Sequence, residues 1–215
     1  MDITYLGHSS FKLRGRSASL ITDPFNPLKV GLKYPKNSAD IVTISHGHDD
    51  HNYVEGVNDV RKVIQGPGEY EVLGVSVIGY PVFHDDKNGS ERGKNTIYVI
   101  EMDGIRLAHL GDIGHTISED TLEELGTIDI LFIPVGGIYT INPTQAAETV
   151  RSIEPKIVIP MHYYTNGMNE QVFAKLAKVD EFLDLTGLTA EKTDKISLKK
   201  SELTDDKKVI VLEKK

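Results

Sequence analysis

The run Ser45-His46-Gly47-His48-Asp49-Asp50-His51-Asn52 places three histidines and two aspartates within six positions. So many titratable groups in one short stretch are costly to hold together unless something cationic gathers them. In an extended chain, residues two apart point to the same side. His46 and His48 therefore reach one ion, while Asp50 and His51 turn towards a second point. Imidazole and carboxylate are ligands for borderline divalent ions such as Zn²⁺. The plain alternative is a solvated polar loop with incidental histidines, and the ligand types and their spacing argue against it.

The elements around the run explain how it could be held. Ile41-Val42-Thr43-Ile44 is an apolar run that reads as a buried strand delivered into the cluster. Upstream, residues 3–6, 11–14 and 19–22 read as three short strands joined by tight turns, with His8 at a strand end. Segment 25–38 reads as an irregular surface loop able to overhang the cluster. Residues 66–70 read as a turn, 75–82 as a strand ending at His84, and 85–94 as a flexible loop. Asp103-Gly104 between two β-branched runs predicts a hairpin, whose second strand runs into Gly111-Asp112. Helices are expected from Ser118 to Leu125 and from Asn142 to about Ile153, where Asn142, Pro143 and Gln145 supply the cap. A third helix is expected after Asn169, with Val172, Phe173, Leu176, Val179 and Leu183 on its apolar face. Further strands are expected at 128–135, 155–160, 195–198 and 209–212.

No linker divides the 215 residues, so one domain spanning 1–215 is expected. Strands dominate the first half, and helices come between strands in the second. That pattern suggests an α+β arrangement of two facing sheets with helices on their outer faces.

The chain has eight histidines, and every one of them falls at or just beyond the end of an expected strand: His8, His46, His48, His51, His84, His109, His115 and His162. Loops at one end of a sandwich gather into a single site, so this distribution argues that separate segments converge on the opening cluster. Asp112, framed by Gly111 and Gly114, belongs to the same set. A carboxylate shared by two cations would support a two-metal site, in which the pKa of a shared water falls towards about 7 and a nucleophile forms without serine or cysteine.

Composition narrows the field. There is no cysteine, which removes disulfides, thiolate ligands and thiol nucleophiles together. A net charge of −8 argues against a general polyanion-binding surface. No stretch approaches a membrane span, and the first residues lack the pattern of a secretory signal, so a cytoplasmic protein is expected.

The sequence resembles the metallo-β-lactamase superfamily. The residues that carry the likeness are His46-x-His48-x-Asp50-His51, for its HxHxDH motif, followed by His84, Gly111-Asp112 and His162. It is similar, more narrowly, to the Zn-dependent hydrolase branch of the ascorbate-phosphate lactonase and N-acylethanolamine phospholipase D type. That likeness rests on Leu6-Gly7-His8-Ser9-Ser10-Phe11, Thr22-Asp23-Pro24, Leu110-Gly111-Asp112, Pro134-Val135-Gly136-Gly137 and Pro160-Met161-His162-Tyr163.

The resemblance implies a four-layer αββα sandwich with two divalent ions at one edge, Zn²⁺ first and Mn²⁺ or Fe as alternatives. It implies that His46, His48 and His84 bind one ion, that Asp50, His51 and His162 bind the other, and that Asp112 bridges them. Asp50 would also orient the hydroxide or handle its proton, and Asp23 would fix a ligand imidazole. His8 and His115 are candidates for substrate contact or leaving-group protonation, while His109 is as well placed for a structural role. The expected activity is metal-dependent hydrolysis of a small-molecule ester, lactone, amide or phosphodiester, with a substrate that can carry a phosphate and no nucleic-acid or membrane partner. The competing readings are a non-catalytic metal-binding or ligand-sensing module and, third, a metal-dependent nuclease, which the acidic balance disfavours.

Overall fold

The computed structural model, which describes residues 1–214, builds two mixed β-sheets face to face. The first has six strands in the order Lys195–Ser197, Asp2–Gly7, Ser10–Arg14, Ser19–Thr22, Ile41–Ile44 and Lys62–Gln65. Its first four are mutually antiparallel, and the last two join in parallel. The second has eight, in the order Thr189–Thr193, Lys208–Leu212, Ile157–Met161, Ile130–Pro134, Ile105–His109, Lys94–Met102, Val75–Phe83 and Gly68–Val72. Its first five strands run parallel and its last three close as antiparallel hairpins.

Alternation decides which side chains fill the space between the sheets. Ile3, Tyr5, Phe11, Leu13, Leu20 and Ile41 of the first sheet meet Val77, Tyr98, Ile100, Leu107, Phe132 and Ile159 of the second. The Phe11 and Phe132 rings lie 4.5 Å apart in this core. Each such buried side chain contributes about 1.5–3 kcal/mol relative to exposure. Helices Glu119–Leu125, Pro143–Ile153 and Val179–Thr186 press Leu125, Ala146, Val150 and Phe182 onto the other face of the eight-stranded sheet, against Val99, Ala108, Leu131 and Val158. On the six-stranded sheet the outer layer is thinner. There Ile21, Val42 and Ile44 pack under Ala39, Val57, Tyr34 and Val54, which come from loops, the 3₁₀ turn Val54–Gly56 and the short strand Val57–Asn58.

The structure departs from the pattern reading at four places. The turn at 66–70 is only its first half, because Gly68–Val72 continues as an edge strand paired with Val75–Phe83. Thr189–Thr193, which carries no apolar alternation, is also an edge strand. The single helix expected after Asn169 is two, Glu170–Phe173 and Val179–Thr186. The break is imposed by tertiary contacts, since Ala177 donates its N–H to the Gly136 carbonyl and accepts from the Tyr164 N–H, which a continuous helix would forbid. Finally, segment 25–38 contains a short helix, Pro27–Val30, capped by the Asn26 side chain on the Leu28 N–H, and Asn37–Ser38 pairs with Val57–Asn58.

Candidate metal centre

The strand Ile41–Ile44 ends where Asp23 begins to organise the cluster. Both Asp23 carboxylate oxygens are used: Ser45 donates its backbone N–H at 2.8 Å and its hydroxyl at 2.5 Å, and His51 donates from Nδ1 at 2.8 Å. The Ser45 hydroxyl also meets His46 Nδ1 at 2.9 Å. One buried carboxylate therefore turns the Nε2 atoms of both His46 and His51 inward. Burial opposes ionisation of Asp23, but the bond to His51 outweighs it and holds the carboxyl below its ordinary value. On the other sheet, Asn95 is the corresponding support. Its Oδ1 accepts from the Asp112 N–H at 3.1 Å and its Nδ2 donates to the Leu110 carbonyl at 2.8 Å. Gly111 makes this possible, since it takes φ +55° and a Cβ there would lie 2.3 Å from Asn95 Oδ1. Gly136 serves His162 in the same way, for its Cβ would meet the His162 carbonyl at 2.1 Å.

Asp112 Oδ2 is the point on which the imidazoles converge. It lies 3.1 Å from His162 Nε2, 3.2 Å from His51 Nε2, 3.5 Å from His84 Nε2 and 4.0 Å from His46 Nε2. His46, His48 and His84 offer ligand atoms within 4.8 Å of one another, and so do His8, Asp50, His51 and His162. Six of the seven expected ligands are buried, and His48 is exposed at the mouth.

The chemistry of this donor set fits a cation. Asp112 Oδ1 and the Nε2 atoms of His46, His51 and His162 are buried without a hydrogen-bond partner among the described residues, which a native core does not normally tolerate. Burial, aided by His51, pushes His46 down to about 3, and burial also lowers His84, so both rings are neutral and ready to donate a lone pair. Burial would lower His51 too, but the Asp112 and Asp50 carboxylates outweigh it and raise its pKa well above the ordinary histidine value. Asp112 and Asp50 are held low, because neighbouring imidazoles outweigh the burial that would raise them; the first of these is His162 for Asp112 and His51 for Asp50. Two carboxylates and inward-turned imidazole nitrogens make the cluster a donor set for a cation.

The remaining histidines separate by their partners. His8 is fully buried, 3.2 Å from Asp50 Oδ2 through Nε2, with its ring 4.3 Å from that of His162. Burial and the nearby His162 push it down to about 4, so it is a neutral ring donating to Asp50, sealed behind the ligands rather than facing a substrate. His115 is not brought into the cluster: its Nδ1 donates to the Thr116 carbonyl at 2.9 Å and its Nε2 accepts from the Phe83 N–H at 3.3 Å. His109 bridges the two sheets, donating from Nε2 to the Ser9 carbonyl at 2.9 Å and accepting from the Gly111 N–H. Two supports escaped the sequence reading. Asn95 left only the trace of an amide opening an apolar strand, and Ser45 stood in the run without any sign of its role.

Above the cluster opens a cavity of about 430 Å³ lined by Asp50, His84 and Asp112 together with Lys29, Arg92 and Phe173. Two facing mixed sheets with a histidine–aspartate centre at one edge define a metallo-β-lactamase fold. The Beta-lactamase superfamily domain matches residues 2–162. A UPF0173 metal-dependent hydrolase of Thermococcus onnurineus is 32% identical over 193 residues, covering 77% of this chain and 85% of that protein. A Thermotoga maritima crystal structure, described as a candidate Zn-dependent hydrolase of the metallo-β-lactamase superfamily, is 37% identical with a TM-score of 0.80 and covers 100% of this chain and 99% of that one. A metallo hydrolase of Ignicoccus hospitalis shares the fold at 23% identity and a TM-score of 0.67, covering 99% of this chain and 94% of that one. The chain belongs to the metallo-β-lactamase superfamily, and it is a metal-dependent hydrolase.

Proposed function

We propose that the chain hydrolyses an ester, lactone, amide or phosphodiester bond of a small molecule, using a hydroxide shared between two divalent ions, Zn²⁺ by preference. His46, His48 and His84 would hold one ion, Asp50, His51 and His162 the other, and Asp112 would be shared. The observation that carries this reading is the position of Asp112 Oδ2, within 4.0 Å of imidazoles from both ligand groups. Nitrogen and oxygen donors without a thiolate suit Zn²⁺, Mn²⁺ or Fe. Bound there, the ions would bring the pKa of a shared water towards about 7 and polarise the scissile bond.

The chain's own residues do the rest. Asp23 fixes two ligand rings through its bonds to Ser45 and His51. Asp50, at the floor of the cavity, orients the attacking water or takes its proton, and His8 holds that carboxylate from behind. His8 is thereby a positioning residue. His115 is a strut between Phe83 and Thr116. A cavity of about 430 Å³ lies in the size range of small-molecule sites.

Protein purified without chelator should carry about two ions per chain by elemental analysis. Asp112→Ala should lose metal and hydrolysis while keeping the far-ultraviolet circular dichroism of the parent. A folded wild-type chain that takes up no metal would sink the reading, and full activity in the Asp112 variant would remove the shared ligand.

A further inference from the structure

Two cations reach the cavity from segments that supply no metal ligand. Arg92 comes from the loop after His84, and Lys29 from the short helix Pro27–Val30. Both stand on pinned backbone. The Asp85 carboxylate accepts the N–H groups of Lys87, Gly89, Glu91 and Arg92 at 2.7–3.1 Å, which folds the whole loop around one side chain. The Arg92 guanidinium then donates from Nη2 to the Ile138 carbonyl at 3.3 Å and lies 5.9 Å from the centre of the Tyr139 ring. Tyr139 is itself tied to the Val172 carbonyl at 2.8 Å. Lys29 is held by the Asn26 cap and by Asn169, whose Nδ2 donates to the Lys29 carbonyl at 3.3 Å.

Neither charge is neutralised by a buried carboxylate. Among the described residues the Lys29 ammonium has no ion pair or hydrogen bond, and the nearest carboxylate to Arg92 is exposed Glu91 at 3.8 Å. In a chain of net charge −8, two cations on the wall of one cavity stand out from the acidic balance. Asp50 and Asp112 face the metal centre, and of the remaining cavity wall only Asp49 is acidic, so Lys29 and Arg92 outweigh it. Tyr139, Val172 and Phe173 supply an apolar wall beside them.

We propose that Lys29 and Arg92 form an anion-binding subsite, and that the substrate is a small anionic molecule whose carboxylate or phosphate group sits there, away from the bond being broken. The proposal rests on the hydrolase reading for the word substrate, but the subsite itself can be tested by binding alone. Arg92 offers a planar fork suited to either oxyanion, and Lys29 a point charge. The substrate's apolar part lies against Phe173 and Val172.

The test pairs two esters with the same leaving group, anionic mono-p-nitrophenyl glutarate and neutral p-nitrophenyl butyrate, on metal-loaded wild type and on Lys29→Gln, Arg92→Gln and the double variant. Metal content is measured for each. The expected result is a ratio of kcat/KM, anionic over neutral, that falls about tenfold in each single variant and further in the double. A ratio that does not move overturns the subsite while leaving the hydrolase reading standing. Calorimetric titration with phenylphosphonate and with phenylacetate gives the second readout, and shows which oxyanion the subsite prefers. Weaker binding of either probe by the double variant, with no ester turned over by any form, upholds the subsite and removes simple esters from the proposed substrates. Equal binding of both probes by wild type and double variant, in that same silent case, overturns the subsite as well.

Discussion

Asp23 lies outside the expected ligand set, yet it reaches more of the centre than most ligands do. It receives His51 directly and His46 through the Ser45 hydroxyl, so a single change there should disturb both groups of candidate ligands at once. Asp23→Asn keeps the volume but places an amide N–H₂ either against the Ser45 backbone N–H or against both the Ser45 hydroxyl and His51 Nδ1, where an acceptor is needed. Metal affinity is expected to fall about 10–100-fold in a chelator competition, with the fold intact. Unchanged affinity would show that the two rings hold their orientation without it. The residue scale is also where the sequence was least explicit. Histidines at strand ends led to the expectation that separate segments converge on the opening cluster, but neither the ring directions nor the separate places of His109 and His115 could be read from them. His8, Asp23 and His162 all take left-handed backbone, with φ of 55°, 37° and 52°. No pattern of apolar and polar residues encodes that conformation, which surrounding contacts must impose. Hence His8 turned to Asp50 and His115 to backbone groups, although both stood in the sequence like candidates for substrate contact.

Elements with their own local chemistry were legible nearly to the residue. The hairpin turns at Asp103-Gly104, where φ is 55° and 78°, as a two-residue turn of matching twist requires. Helix Pro143–Ile153 carries its full capping box, with Asn142 and Gln145 exchanging bonds. What escaped was structure set by distant partners, namely the two polar edge strands and the interrupted helix, together with the loop 86–93, which one neighbouring side chain orders. That loop reads as flexible because its residues are polar, yet Asp85 alone satisfies four of its N–H groups. Burial would raise the Asp85 carboxyl, and those N–H groups outweigh it, bringing it down to about 2. Because the folded value is depressed, the carboxylate's contribution is complete above the ordinary carboxyl range near 4, and is lost as pH falls towards about 2. Asp85→Ala should therefore mimic acid at neutral pH. Amide exchange at Lys87, Gly89, Glu91 and Arg92 is expected to accelerate in that variant while exchange in Lys94–Met102 does not. Equal protection in variant and parent would mean that the loop is ordered by something other than this side chain.

At the scale of the molecule, the centre is a joint between sheets. His46, His48, Asp50 and His51 follow a strand of the six-stranded sheet, whereas His84, Asp112 and His162 follow three strands of the eight-stranded one. The apolar core around Phe11 and Phe132 lies behind the centre, whose edge carries, among the described residues, three imidazole Nε2 atoms and a carboxylate oxygen without a hydrogen-bond partner. Ions binding there stabilise only the folded arrangement, by about 2.7 kcal/mol when free metal is a hundred times its dissociation constant. For a chain of this size each kcal/mol moves the thermal midpoint by roughly 2–4 °C, so stripping the metal should lower it by about 5–10 °C. The loss should also be local. Exchange protection is expected to fall in segments 45–52, 84–85, 110–114 and 162–164, and to persist in the strands behind them, whose apolar contacts include no candidate ligand. A midpoint that stays in place while the metal leaves would mean that the histidine rings and Asp112 satisfy one another well enough alone. A uniform loss of protection through both sheets would instead make the ions part of the folding core.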